Sequence, residues 1–404
     1  MSEVRCNPIE IANRPDQHRT FGLTGMRAWM ECPGRKPERV AIEAGSHSVA
    51  FDARETCIEL ADGAWYVVFN IVTHLFPDGL LNVKLAVTLD DGSQVTFPER
   101  FLAVDNGGAL AREVADDLRA HGTPPILPRH VDSGHFPYGT GQAKAWFDFA
   151  DTPQTPLSFD PSPDMETAHR HLEHWGFCVL PELLPADLVE QFKADVRAAI
   201  ASGELHYVEG TSQRIHDAHR LESGRKIWLY PPVMRFLTDH FRDKPCACQT
   251  LTYINGSEQN AHQDTIHLTP YPAGLMSGVW VALEDVQPDS GELFVYPGSH
   301  RTPRLRAAQL GLGKVVNDDY SAYAKFDAEI ARMMEEGGYE RHVYRAKAGQ
   351  ILVWHENLVH GGSVRVNKEQ TRFSVVSHYF AKGAVAYYDS RGEAASLEDL
   401  PNIV

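Results

Sequence analysis

No apolar run in these 404 residues approaches the length of about 18 that a membrane-spanning helix needs. The N-terminal MSEVRCNPIEIANRPDQ has neither the basic nor the apolar region of a secretory signal, so a cytoplasmic protein without a membrane partner is expected. Positive charge is also short. Thirty-eight Lys and Arg stand against 54 Asp and Glu, a formal net charge of −16. Such a surface repels phosphate backbones and anionic lipid heads, which excludes nucleic acid and leaves a small molecule as the expected partner. Cysteine is sparse: Cys6, Cys32, Cys57, Cys178, Cys246 and Cys248 are too scattered for a disulfide-stapled scaffold. The Cys246-x-Cys248 pair sits in an apolar stretch and reads as strand thiols, not a metal pair. Repeats and low-complexity tracts are missing. What is present is an ordinary globular composition, 43% hydrophobic and 23% charged, long enough for more than one domain, together with 20 histidines.

Residues 40 to 104 carry strand-like segments (VAIEAG, SVAFDA, WYVVFNIVTHLF, NVKLAVTL, QVTFPERFLAV), with turn signals at Pro77-Asp78-Gly79 and Asp91-Gly92. They predict an N-terminal antiparallel β-sandwich-like domain over residues 1–108, either structural or mediating self-association or carrier recognition. A helix over 109–121 stops at Gly122 and leads into a Pro/Gly-rich linker to 164, packed by Trp146, Phe147 and Phe149. From 165 onward, helical segments (METAHRHLEHWG, PADLVEQFKADVRAAIASG, PPVMRFLTDHF) precede many short strands. The chain is therefore expected to be mostly β with α. Residues 165–404 would form a double-stranded β-helix, that is a jelly-roll or cupin-like barrel with flanking helices. The stretch 301–347 interrupts the strands with one helix and reads as a candidate lid, with Arg304, Tyr320 and Tyr323 as contacts.

The sharpest feature is His262-Gln263-Asp264, in NAHQDTIHL. On a strand, a spacing of two puts an imidazole and a carboxylate on one face. His360 follows the strand GQILVWH and precedes Gly361-Gly362, whose bare backbone would leave room beside an ion. On TRFSVVSHYF, Arg372 and Ser374 alternate onto one face, a guanidinium and a hydroxyl suited to a carboxylate. Two histidines and one carboxylate leave three coordination positions open, the arrangement of non-haem Fe(II) oxygenases. Zinc hydrolysis is the chemical rival, although it would give the arginine no duty. Among the other histidines, His267 is expected to face away from the ligands, His300 to hold its turn and His355 to pack in the barrel, while His378 is left open. The basic segment QRIHDAHRLESGRK (Arg214, His216, His219, Arg220, Arg225, Lys226) reads either as a solvated surface or as a contact for an anionic substrate.

In order, GFCVLPELLPADLVEQF, NGSEQNAHQD, WVALEDVQPDSGELFVYPGSHR, GQILVWHENLVHGGS and TRFSVVSHYF resemble the phytanoyl-CoA dioxygenase-like (PhyH) branch of the Fe(II)/2-oxoglutarate-dependent oxygenases, over about residues 165 to 385. The resemblance implies Fe(II) as cofactor, with 2-oxoglutarate and O2 as co-substrates. It implies His262, Asp264 and His360 as catalytic iron ligands and Arg372 as the clamp on the distal carboxylate of 2-oxoglutarate, assisted by Ser374. Trp280 and Thr252 would stand beside the co-substrate. The implied reaction is hydroxylation of an unactivated C–H bond of a small molecule, with release of succinate and carbon dioxide. Desaturation, cyclisation or epimerisation at the same site are alternatives, as is a non-catalytic cupin-like binding protein. In this family a Ser or Thr commonly follows the distal histidine by two, whereas Ser363 comes at three, which leaves its contact with the co-substrate open. Asp264 occupies the position that halogenases keep for a small residue, so halogenation is disfavoured.

Overall fold

The structure, a computed structural model, describes residues 4–14, 16–60, 63–138, 154–316 and 319–399. Trp146, Phe147 and Phe149, expected to pack the linker, lie outside the described residues.

Alternating burial along strands such as Leu23–Glu31 and Gly79–Leu89 leaves each with one apolar face to cover. Two six-stranded sheets do this for each other among the described residues. One is built on Leu23–Glu31 and Ala64–Val72, the other on Pro37–Ala44, Gly79–Leu89 and Arg100–Val104. Met26, Ala28 and Phe69 of the first share a core with Ile42, Val83 and Leu85 of the second. One pairing departs from the antiparallel expectation: Arg19–Thr20 runs parallel to Arg100–Val104. This two-residue edge strand is entered from Glu10–Ile11, which pairs in the opposite sheet, so no hairpin dictates its direction.

The helix Met165–Trp175 opens with the Asp164 side chain accepting from Thr167 N at 2.7 Å and closes at Gly176 with φ 81°. A side chain at Gly176 would also strike the His300 ring, 2.6 Å from the Cβ position, so glycine is required there twice over. Beyond it lies a six-stranded antiparallel sheet in the spatial order Phe177–Val179, Ile351–His355, Met276–Ala282, Ser374–Ala381, Pro245–Tyr253, Ile215–His216. One face (Val279, Val281, Val353, Val375) packs on Phe192 and Val196 of helix Ala186–Ser202 and on Phe236 of helix Pro231–Phe241. The other (Trp280, Leu352, Trp354, Val376) packs with Leu293, Val295 and Tyr344 of a three-stranded sheet that ends in His360–Gly362. Two opposed sheets with helices outside form the mostly β, jelly-roll core. The C-x-C cysteines lie on strand Pro245–Tyr253 as free thiols, Cys246 buried. No helix among the described residues is long and apolar enough to cross a membrane.

A third sheet (Thr269–Tyr271, Val385–Tyr388, Glu393–Ala394) joins the two halves: Tyr271, Val385 and Tyr387 share an apolar cluster with Leu23, Val72, Val114 and Leu118. At the same junction buried His74 places Nε2 2.8 Å from the Gly383 carbonyl, and burial pushes its pKa down to about 4 from 6.5. The folded state thus favours the neutral ring. Its contribution to stability is complete above about pH 6.5 and is lost as the pH falls towards 4. About 2 kcal/mol should disappear between pH 7 and pH 5 through this ring alone. In urea unfolding, His74→Leu should flatten the acid limb by that amount; an unchanged pH slope would refute the assignment.

Candidate metal centre

His262 and His360 are opposite each other in an antiparallel bridge, with backbone bonds in both directions (His262 N to His360 O, 2.9 Å; His360 N to His262 O, 3.1 Å). The backbone is extended through Gln263 and then turns into the short 3₁₀ segment Asp264–Ile266. His262 and Asp264 therefore share a side, as their spacing predicted, although no continuous strand carries them. Gln263 points the other way and fastens the 301–347 segment, bonding Thr302 Oγ1, the Pro303 carbonyl and Leu305 N.

The donor atoms of His262, Asp264 and His360 lie within 4.8 Å of one another. Asp264 Oδ1 is 3.6 Å from His262 Nε2 and 3.8 Å from His360 Nε2. Each imidazole has its Nδ1 against a carbonyl, Asn260 O at 2.8 Å and Leu358 O at 3.0 Å. Nδ1 must therefore donate, which leaves the Nε2 lone pair turned towards the cluster. Burial pushes the His360 pKa down to about 4, so its ring is neutral and free to ligate at neutral pH. Burial opposes ionisation of Asp264, but the surrounding histidines, His360 first, outweigh it and hold the carboxyl well below its usual range. Two imidazoles and one carboxylate fit a divalent transition metal, iron in particular, with positions left over for other ligands.

These groups line a cavity of about 1230 Å³. Arg372 enters it just before strand Ser374–Ala381, between the rings of Tyr253 and Trp280 at 5.8 and 5.9 Å. It is buried, and among the described residues its Nε and Nη1 have no hydrogen-bond partner, nor has Trp280 Nε1. Burial lowers its pKa to about 10, and the group remains charged at neutral pH. A buried, charged, unpaired fork beside the donor cluster fits the far carboxylate of 2-oxoglutarate.

Several sequence expectations are corrected by this geometry. Thr252 is not among the lining residues; Leu251 and Tyr253 line the cavity, so alternation turns Thr252 to the opposite face. Ser374 has the parity of Arg372, but it does not line the cavity either, and its hydroxyl lies 3.4 Å from the Arg372 carbonyl. Gly361 and Gly362 make room for protein, not for an ion: Cβ atoms there would meet Phe294 and Ser257 at 2.5 and 2.3 Å. Ser363 takes a bond from Arg341, 2.7 Å, and does not line the cavity. Arg304 pairs with buried Glu356 at 3.0 Å and also lies off the lining, whereas Tyr320 and Tyr323 are on it. His267 does line the cavity, with Nδ1 3.0 Å from Ser390 Oγ, because a 3₁₀ turn stacks residue i+3 over residue i where a strand would send it to the other face. Of the basic segment, Arg214 and His216 line the cavity, while Arg220, Arg225 and Lys226 pair with Asp217, Glu398 and Glu222. His300 bonds the Glu173 carbonyl through Nε2 at 3.1 Å, in keeping with a turn-holding role, and His355, expected to pack in the barrel, is buried on its strand with Nδ1 accepting from Asn357 N at 3.0 Å.

Sequence reasoning missed Trp354, whose Nε1–H donates to Asp264 Oδ2 at 2.7 Å, and Tyr253, Tyr388, Ser390 and Arg391, which wall the cavity. A tryptophan one residue before His355 reads as core. The 388–391 turn carries no motif, and only the third sheet brings it to the site.

Residues 172–372 match the family described as phytanoyl-CoA dioxygenase (PhyH). Among curated relatives, phytanoyl-CoA dioxygenase domain-containing protein 1 of Danio rerio is 34% identical over 92 residues, 19% of this chain and 31% of the relative. Peroxisomal phytanoyl-CoA dioxygenase of Rattus norvegicus is 24% identical over 233 residues, 51% and 65% of the two chains. The chain thus spans between 31% and 65% of the length of these two relatives. Among solved structures, the non-heme alpha ketoglutarate dependent carbocyclase SnoK from nogalamycin biosynthesis is similar at TM-score 0.45 and 18% identity, covering 57% of this chain and 90% of its own. The domain over residues 172–372, which carries His262, Asp264, His360 and Arg372, thus matches the phytanoyl-CoA dioxygenase (PhyH) family.

Proposed function

We propose that this protein is an Fe(II)- and 2-oxoglutarate-dependent dioxygenase that hydroxylates an unactivated C–H bond of a small, polar, anionic molecule and releases succinate and carbon dioxide. The observation that carries the reading is one cavity holding both a two-histidine, one-carboxylate cluster and the buried guanidinium of Arg372 with two unpartnered nitrogens. When bound, Fe(II) with 2-oxoglutarate and O2 would supply the oxidising chemistry, O2 being the oxidant, with one of its atoms going to the C–H bond and the other to succinate as carbon dioxide is lost. His262 and His360 would offer their Nε2 atoms, and Asp264 would add a negative charge. Arg372, with the Trp280 N–H, suits the far end of the co-substrate. The chain binds, orients and excludes water, and hydroxylation asks no protein base of it. The test is to titrate anaerobic protein with Fe(II) and then 2-oxoglutarate: a visible charge-transfer band that needs both is expected, and metal binding without the band would sink the reading.

The rest of the wall supports a polar anion. A cavity for a long hydrocarbon would be lined by apolar groups. Here apolar Leu251, Leu268, Leu293, Phe326 and Val376 share the wall with hydroxyls, amides and charged groups, Arg214 among them. Arg214 stands beside the Tyr253 hydroxyl, within reach of the same cavity. Once succinate release has identified a turned-over acid, Arg214→Leu should raise its half-saturating concentration roughly 10- to 100-fold, as loss of a charged hydrogen bond implies, with kcat little changed. Turnover confined to uncharged hydrocarbons would reject the substrate class.

A further inference from the structure

Gln249, His378, Gly278 and Trp354 stand directly opposite one another on four neighbouring strands, forming one row across the large sheet (Gln249 with His378, His378 with Gly278, Gly278 with Trp354). Gln249, His378 and Trp354 of this row line the metal cavity. The row ends on the outer oxygen of Asp264. Trp354 Nε1–H donates to Oδ2 at 2.7 Å, and His378 Nε2 lies 3.6 Å from the same atom. The Gln249 amide nitrogen is 3.3 Å from His378 Nδ1; an amide NH2 can only donate, so Nδ1 accepts and the hydrogen of His378 sits on Nε2, facing the carboxylate. The two oxygens of Asp264 are thereby sorted. Oδ1 faces His262 and His360, while Oδ2 faces the row.

Gly278 is what admits the indole. A Cβ there would lie 2.2 Å from Trp354 Cε2, so any other residue would drive the ring out of the row. The same ring stands 4.4 Å, centroid to centroid, from His360, and so contacts one proposed ligand while bonding another. A tryptophan that only filled the core could satisfy its N–H on any carbonyl. This one gives it to Asp264 Oδ2, while the approaches of the two Nε2 atoms, 3.6 and 3.8 Å, are to Oδ1.

Resting on the reading of His262, Asp264 and His360 as metal ligands, we propose that Trp354, seconded by His378 with Gln249 behind it, is a positioning residue that fixes Asp264 so that only Oδ1 is offered to the metal. Held this way, Asp264 would offer the metal one oxygen and leave room for co-substrate and dioxygen, whereas a carboxylate free to swing could offer two.

The test is equilibrium Co(II) binding to the full-length protein, followed by the visible spectrum of the bound ion. Trp354→Phe should weaken binding roughly 10- to 100-fold, as loss of an outer hydrogen-bond partner does, and should change the shape of the Co(II) spectrum. Trp228→Phe, which alters another fully buried tryptophan in the helix-side core, should lower stability without moving either readout. His378→Phe removes the second donor and keeps a ring, and should shift affinity in the same direction as Trp354→Phe; it carries the test if Trp354→Phe does not fold. If Asp264→Ala abolishes Co(II) binding while Trp354→Phe and His378→Phe bind like wild type, the positioning role is overturned. If Asp264→Ala itself binds like wild type, the ligand reading beneath it has failed instead.

Discussion

Arg372→Leu should abolish most 2-oxoglutarate binding yet leave the ligand-free protein as stable as wild type, or more so. The side chain is 2% exposed, with aromatic rings on either side and no hydrogen-bond partner for Nε or Nη1. Glu292 raises its pKa only at a distance and is itself bonded to Arg345 at 3.1 Å. A buried charge without a partner destabilises the fold, and leucine removes that cost. A carboxylate arriving at the fork reverses the balance, because the desolvation has already been met during folding. Losing that contact should cost about 2–5 kcal/mol of binding, a factor of roughly 30 to several thousand. Arg372→Lys should not rescue it, since a point charge on a flexible stem lacks the two-pronged geometry. The measurements are 2-oxoglutarate titration of the Fe(II) form and urea unfolding of the apo form. Wild-type affinity, or a clear loss of apo stability, would remove Arg372 from the role assigned to it.

Asp264→Ala should weaken metal binding by more than the roughly 100-fold upper limit typical of outer partners. Asp264 is the one acid among the three clustered donors, and its loss leaves only the two imidazoles to face a doubly charged ion. It also strands the Trp354 N–H and the His378 ring that face Oδ2. Metal binds the folded chain and stabilises it by mass action, so wild type should melt at a higher temperature with Fe(II) or Co(II), and Asp264→Ala should melt at the same temperature with or without the ion. The band that needs both Fe(II) and 2-oxoglutarate should vanish with it. Retention of a metal-dependent rise in Tm would show that the ion sits elsewhere.

Much of the barrel could be read from local pattern. Asp164 before METAHRHLEHW and Gly176 after it mark a helix because a carboxylate satisfies a free N–H and glycine accepts φ 81°. Apolar residues at every fourth position in ADLVEQFKADVRAAI mark another, and it buries Val189, Phe192 and Val196. The donor types and their order could be read too, since His262 and Asp264 are two apart, His360 follows one strand-like run and Arg372 opens another. The failures have physical causes. Thr252 was placed by resemblance, while the alternation of its own strand turns it away from the cavity. His267 was placed by assuming a strand where the backbone makes a 3₁₀ turn, and that turn reverses the face of the third residue.

The sequence by itself determined what is local: donor chemistry, helix ends, turn positions, and which residues of one strand share a face. These depend on contacts a few residues apart, through hydrogen-bonded caps and the two-residue period of extended backbone. The tertiary structure decided what stands opposite what. Gln249, Gly278, Trp354 and His378 come from four strands spread over more than 100 residues, and only the pairing register lines them up on the outer oxygen of Asp264. The same holds for Ser390 and Arg391, which reach the cavity because Val385–Tyr388 pairs with Thr269–Tyr271 just beyond the metal turn, against the apolar cluster shared with the N-terminal half. Register between distant strands is set by the packing of whole faces, and no short window of sequence contains it.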